Sequence, residues 1–232
     1  MKKTIVIPAR YASKRFPGKA LALIHGVPMI VRVCMRVEEL RNKLNCDIYV
    51  VTDDKRIYDV VYKAGYDCIM THEHRTGTDR IYEFSKYINS EIYINVQGDE
   101  PLVKCSDIVK VAFVKGCNMG NVVGSMTFLE EGEMEDNTIV KVKTSNEGYL
   151  KNITRKSIKT KYRQCGIYAY TAQELKGFYY SNKEEIENIE LTRFEKEIKM
   201  ALIKGSHAVD NVEDLEIIEK AIQGEILEGR ED

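Results

Sequence analysis

The sequence predicts an α/β fold, a three-layer domain in which a mostly parallel sheet lies between helices and is interrupted late by an excursion. Short β-branched runs alternate with amphipathic stretches, the order expected when helices make the crossovers of a parallel sheet. The 232 residues, 44% of them apolar, suffice for one sizeable domain with its own core. After about residue 130 the alternation loosens, then resumes, which marks the excursion.

Each element follows from its local pattern. "TIVIPA" (4–9) reads as a first strand. Pro28 suits the first turn of a helix through about Leu44, with Ile30, Val33, Cys34, Val37 and Leu40 on one face. "DIYVVTD" (47–53) is a second strand, and "KRIYDVVYKAG" (55–65) a helix closed by Gly65. "DCIMT" is a third strand, "TDRIYEFSKYI" (78–88) a helix, and "IYINVQGDEP" (92–101) a fourth strand ending in two carboxylates. "SDIVKVAFVK" opens on a Ser106 cap, and "NVVGSMTFL" is again a strand. Residues 131–165 are polar apart from a short apolar piece at 139–142 and are expected to form a projecting arm. "CGIYAY" (165–170) returns as a strand, "IENIELTRFEKEI" (186–198) and "VEDLEIIEKAI" (212–222) read as helices, and "MALIKG" lies between them as a strand.

Composition excludes several function classes. A formal net charge of -1 argues against a general nucleic-acid binder. No segment approaches the ~20 apolar residues of a membrane span. "MKKTIVIPARY" imitates a signal peptide only briefly, its apolar run ending after four residues. Six cysteines without a C-x-x-C pair or zinc spacing read as buried, reduced thiols of a cytoplasmic protein.

Against that neutral background, "PARYASKRFPGKAL" (8–21) concentrates Arg10, Lys14, Arg15 and Lys19 around Gly18, directly after the first strand. It lacks the glycine spacing and the Ser or Thr of a Walker loop, and no G-x-G-x-x-G follows the strand. Arg grips phosphate oxygens in a fork and Lys acts as a mobile point charge, while a missing side chain at Gly18 lets backbone approach an anion. The fourth strand ends at Asp99 and Glu100 on the same rim, because ligands of open parallel sheets bind beyond the carboxyl ends of the strands. A capping turn, a general acid/base pair and magnesium ligands are three readings of these carboxylates. Magnesium takes one or two carboxylates plus phosphate oxygens, so the third suits a phosphate loop. Asp210 is a candidate second ligand, and equally a cap of the last helix. In "THEHRTGTDR" (71–80), a purely structural reading makes Thr78 a helix cap and Arg80 a surface cation, and assigns His72 and His74 no metal.

These segments, with "GVPMIVRV", "VVTDD", "HRTGTDRI", "INVQGDEP", "CGIYAY" and "VDNVEDL" in order, resemble the 3-deoxy-manno-octulosonate (Kdo) cytidylyltransferase family over nearly the whole chain. The resemblance implies a Rossmann-like nucleotide-diphospho-sugar transferase fold with a small dimerisation arm, hence a homodimer. It implies transfer of CMP from CTP to the acidic sugar with magnesium, for lipopolysaccharide or capsule, with neither nucleic acid nor membrane as partner. By the same resemblance Arg10, Arg15 and Lys19 hold the triphosphate, Lys19, Arg10 and Asp99 serve catalysis, and Asp99 and Asp210 bind magnesium. Thr78, Arg80 and Gln97 match positions lining the nucleotide, and Gln97, Arg155, Tyr168, Glu190 and Arg193 the sugar. Lys14 matches no required position and is expected to face solvent. The arm departs from the family pattern, with Ile153-Thr154-Arg155 in place of Phe-Ser-Arg and without the prolines that usually follow. That departure keeps open a nonulosonate or phosphonate acceptor, and a non-catalytic nucleotide-binding relative is a further alternative.

Overall fold

β1 (Lys3–Ala9) holds Ile5, Val6 and Ile7 with no exposed surface, and a strand buried on both faces belongs at the centre of a covered sheet. The computed structural model describes residues 1–13 and 15–227. Lys14, and with it the expectation that it faces solvent, lies outside them.

After β1 come two short strands, β2 (Leu23–Ile24) and β3 (Val27–Pro28), then α1 (Met29–Glu38), α2 (Leu40–Lys43), β4 (Cys46–Thr52), α3 (Lys55–Lys63), β5 (Cys68–Met70), α4 (Gly77–Ser85) and β6 (Ile92–Asn95). The second half holds α5 (Cys105–Cys117), β7 (Val122–Phe128), β8 (Lys141–Thr144), β9 (Leu150–Thr154), β10 (Tyr162–Tyr170), α6 (Ala172–Tyr179), β11 (Ile198–Leu202) and α7 (Glu213–Leu227). The main sheet runs β11-β7-β10-β6-β1-β4-β5, with β8 paired to β10 and β9 to β8. β1 is parallel to β4 (Ile5 opposite Ile48) and to β6 (Ile5 opposite Ile94), whereas β10 runs against both β6 and β7. The predicted three-layer, mostly parallel architecture is what forms.

Alternation along β1 sorts the two cores. Ile5 and Ile7 pack with Ile30 and Val33 of α1, Ile57 of α3 and Ile108 of α5. Val6 faces the other layer, with Ile81 and Phe84 of α4 and Leu175 and Phe178 of α6. β1 continues to β4 on one side, and the chain crosses through α4 to β6 on the other. The strand order therefore reverses at β1/β6, where such sheets open a crevice. Gly98, just past β6, keeps that crevice tight, because a Cβ there would lie 3.0 Å from the Pro8 carbonyl oxygen.

Several expectations are corrected. The helix expected over 186–198 is a bend, a short 3-10 turn (Glu190–Arg193) and the start of β11, because Glu187 and Asn188 take left-handed backbone (φ 55° and 57°) that no α-helix continues. Its apolar residues Ile189, Leu191 and Phe194 are buried one by one rather than as a helical stripe. α6 was not expected, although Thr171 and Glu174 form a reciprocal capping box at its start. The first long helix breaks at Glu39 into α1 and α2. Ser106 is not a cap, since α5 begins at Cys105 after Lys104. Of the cysteines, Cys34, Cys46 and Cys165 are buried, Cys68 and Cys105 are partly covered, and Cys117 is exposed. Within 131–165, β8 and β9 make a hairpin whose first strand continues the sheet onto β10, which starts at Tyr162 rather than Cys165. Among the described residues no helix is long and apolar enough to cross a membrane.

Candidate active site

The basic loop leaves β1 at Ala9 and folds back on Tyr11, whose carbonyl accepts from the Ser13 and Gly18 amides at 2.9 and 2.8 Å. Gly18 has φ 73°, and a Cβ would meet the Tyr11 ring at 3.0 Å. The glycine thus serves a left-handed turn packed on an aromatic ring. That turn starts the short 3-10 segment carrying Lys19.

Lys19 joins three loops at one point. Its ammonium donates to Asp99 Oδ2 and, at 3.0 Å, to the Val209 carbonyl, and lies 4.0 Å from Asp210 Oδ1. Arg15 Nη2 donates to the same Asp210 oxygen at 2.7 Å, and the Val209 amide donates to the Asp99 carbonyl at 2.8 Å. Exposed pairs like Arg15–Asp210 contribute about 0–1 kcal/mol, so an incoming polyphosphate can take such cations at small cost. Arg10 is exposed, and among the described residues no carboxylate pairs with it.

The other acidic candidate turns inward. Glu100 is 6% exposed and accepts from the Gly166 amide at 3.1 Å and the Ser206 hydroxyl at 2.9 Å. Burial, then the neighbouring Asp99 charge, push its carboxyl up to about 7. The cap of α7 is also settled, because Asn211 Oδ1 accepts from the Asp214 amide and Asp214 Oδ2 from the amides of Asp210 and Asn211. The Asp210 side chain is left for Lys19 and Arg15.

These residues border one cleft of about 970 Å³. Arg10, Arg15, Lys19, Arg80, Gln97, Asp99, Arg155, Glu190 and Asp210 line it; Thr78, Tyr168 and Arg193 do not. Thr76, not Thr78, caps α4, its side chain accepting from the Asp79 amide. Thr78 instead donates its hydroxyl to Glu190 Oε2 at 2.6 Å, and the Gly77 and Thr78 amides donate to the same carboxylate at 3.3 Å. Glu190 thereby sits at the α4 N-terminus, its carboxyl raised by burial against the pull of these bonds. Arg80 is no surface cation: it is 2% exposed and holds Asp53 at 2.7 Å. Tyr168 is buried with its hydroxyl on Gln164. Arg193 is spent on Asp79, at 2.9 and 3.1 Å, and on the Phe178 carbonyl.

Sequence reasoning named none of Ser13, Phe16, Arg75, Asn137, Thr138, Glu184, Glu185 and Asn188 as site residues, and passed over His74, all of which line the cleft. His74 Nε2 lies 2.5 Å from the buried Glu83 carboxylate, which also meets His72 Nδ1 at 2.8 Å. Asn188 was hidden by the helical pattern over 186–198.

Among the described residues no group of three or more His, Cys, Asp or Glu side chains is arranged as a metal cage. Magnesium bound with a nucleotide needs no such cage, and two carboxylates facing one cationic point beside a phosphate loop suit it. Asp99 and Asp210 both address the Lys19 ammonium, so the donor set fits.

A cytidylyltransferase family model matches residues 4–229. The 3-deoxy-manno-octulosonate cytidylyltransferase of Photorhabdus laumondii is 36% identical, covering 94% of this chain and 97% of its own. A solved CMP:2-keto-3-deoxy-manno-octonic acid synthetase complexed with CTP superimposes with a TM-score of 0.88 at 30% identity, over 97% of this chain and 100% of that one. A UDP-glucose pyrophosphorylase complexed with UDP-glucose, at TM-score 0.71 and 14% identity over 97% of this chain and 100% of its own, shares the fold. With its loop cations and carboxylates gathered at the switch point of this sheet, the chain belongs to the cytidylyltransferase family of nucleotidyltransferases, among the 3-deoxy-manno-octulosonate cytidylyltransferases.

Proposed function

We propose that the protein transfers CMP from CTP to the anomeric hydroxyl of Kdo, releasing pyrophosphate. The observation that carries the reading is the junction of Lys19 with Asp99, Asp210 and, through Asp210, Arg15, at the mouth of the cleft in a chain of this family.

The reaction needs an in-line attack on the α-phosphorus and compensation of the charge that spreads over the phosphoryl oxygens. Arg10 and Arg15 draw the triphosphate onto the loop after β1. Lys19 moves from Asp99 to the phosphoryl oxygens and stabilises the charge that develops there. Asp99 and Asp210 are then left to hold magnesium, which when bound lowers the pKa of the attacking hydroxyl and screens the phosphates. Arg80 and Gln97 border the nucleotide, and Gln97, Arg155 and Glu190 the acceptor. The enzyme works in the cytoplasm as a homodimer joined through the 131–165 arm, and its product feeds lipopolysaccharide or capsule synthesis.

Pyrophosphate release from each of the four NTPs, with magnesium and a panel of acidic sugars, tests the reading. Release with CTP and Kdo alone is expected. Release with CTP and a different sugar overturns the acceptor, and CTP binding without turnover on any sugar overturns catalysis.

A further inference from the structure

The acceptor half of the cleft stands on two residues that the proposed reaction does not use. Lys141 has no exposed surface, and among the described residues no carboxylate forms an ion pair with it. Among the described residues its ammonium donates to main-chain carbonyls alone, those of Asp136 and, at 3.0 Å, Arg155. A buried ammonium that has only the longer-range charge of Asp136 to answer it is expensive, and an apolar side chain would fold a hairpin at less cost. What the lysine holds explains its presence: the Asp136 carbonyl leads into Asn137 and Thr138, and Arg155 is itself on the cleft wall.

Glu187 closes the same frame from the other side. Its carboxylate accepts from the Thr154 hydroxyl at 2.9 and 3.0 Å and from the Arg155 amide, and its carbonyl accepts from Arg155 Nε at 3.0 Å. Arg155 Nη1 then reaches the Thr138 carbonyl, which closes a ring through residues 136–138, Lys141 and Arg155, with Glu187 fastened to it at Arg155. The left-handed backbone at Glu187 and Asn188 turns the chain so that Glu187 faces Arg155 while Asn188 lines the cleft.

Every contact of the Arg155 side chain in this ring is to a carbonyl, whereas Arg75 pairs with Glu185, Arg80 with Asp53 and Arg193 with Asp79. Its guanidinium is therefore fixed in direction, and among the described residues no carboxylate forms a close ion pair with it, the Glu187 charge acting at longer range. We infer that Lys141 and Glu187 are positioning residues that hold Arg155 and the 137–138 segment in register for the acceptor's carboxylate, and so set acceptor specificity. The inference rests on the cytidylyl-transfer reading above. A purely structural role for the ring would cost stability and affect both substrates alike.

The test is steady-state kinetics on the acidic sugar that the wild-type protein turns over, so that a wrong acceptor and a wrong inference are read separately. Glu187→Ala and Lys141→Met are expected to raise KM for the acceptor on the order of tenfold, as misplaced binding groups do, with KM for CTP nearly unchanged. Glu187→Gln keeps an acceptor oxygen for Thr154 and the Arg155 amide and should restore most of the loss. In an Arg155→Ala background, Glu187→Ala should add nothing further, because it acts through Arg155. Equal rises in both KM values, additivity with Arg155→Ala, no change at all, or loss of CTP binding by calorimetry in the Glu187→Ala protein would each overturn the inference. If Lys141→Met does not fold, the Glu187 series decides alone. A wild-type protein that turns over no acidic sugar overturns both this inference and the reading beneath it.

Discussion

Lys19 and Glu100 show how neighbouring positions on one rim are given opposite tasks. Lys19 keeps about a sixth of its side chain exposed and is shared between two carboxylates, a state from which it can change partner. Losing one preorganised electrostatic donor costs on the order of a hundredfold or more in rate, so Lys19→Ala should lower kcat by at least that much with the fold retained. Near-normal turnover in that variant would remove the assigned role. Glu100 lies next to Asp99 in sequence but is closed into the interior, where it ties the end of β6 to β10 at Gly166 and to the segment after β11 at Ser206. Its carboxyl is raised from the usual 4.5 to about 7, so between those values the folded protein binds more protons than the unfolded chain. Stability from this group is complete below about pH 4.5 and is lost as pH rises through about 7. Glu100→Gln should abolish that loss, flattening the profile by on the order of 3 kcal/mol between pH 5 and 8. Urea denaturation of the two proteins without nucleotide or metal measures it, and parallel profiles would refute it.

At the level of elements, α6 carries a second buried charge whose logic is structural. Thr171 caps the helix, and Glu174 both completes the capping box and receives Lys115 of α5 at 2.9 and 2.7 Å, with neither side chain exposed. Thr171→Ala removes a cap and should cost about 1 kcal/mol. Glu174→Ala strands a buried ammonium and should cost about 3–5 kcal/mol, with much of that recovered when Lys115→Met is added. Denaturant titrations of the three proteins separate these values, and a double variant no better than Glu174→Ala would count against the pairing. The same helix shows what a sequence hides. β1, β4 and β6 were legible because a parallel strand covered on both faces must be an apolar run, and the loop cations were legible because they follow β1 directly. α6 displayed its Thr-x-x-Glu start but only Leu175 and Phe178 as large buried apolar residues, too few to reveal a period. Residues 186–198 showed the converse, apolar residues at helical spacing over a backbone turned left-handed at Glu187 and Asn188. The cleft divides accordingly: the side holding Arg10, Lys19 and Asp99 follows strand ends that local pattern locates, whereas Thr138, Arg155 and Asn188 meet only through the β8–β9 hairpin and that bend.

Across the whole molecule, the cleft is where separate parts of the chain are fastened together. The loops after β1, β6 and β11 meet at Lys19, and the opposite wall brings residues 137–138 and 155 together with 184, 185 and 188. A ligand that binds there bridges both sides of the β1/β6 switch point and is absent from the unfolded chain, so it must stabilise the fold by mass action. At a concentration a hundred times its dissociation constant the gain is about 2.7 kcal/mol. For a chain of this size each kcal/mol moves the melting temperature by about 2–4 °C, which gives a rise of roughly 5–10 °C with CTP. UTP, ATP and GTP at the same concentration should give less, because they share the triphosphate but not the base. Arg10→Ala should reduce the CTP shift, since among the described residues no carboxylate holds that guanidinium away from phosphate, and added salt should weaken binding through the exposed cations. Thermal scans of the wild type and Arg10→Ala with each nucleotide make the comparison. A shift equal for all four triphosphates would mean that the cleft reads the phosphates alone and that selectivity for cytosine arises later, when the acceptor closes the site.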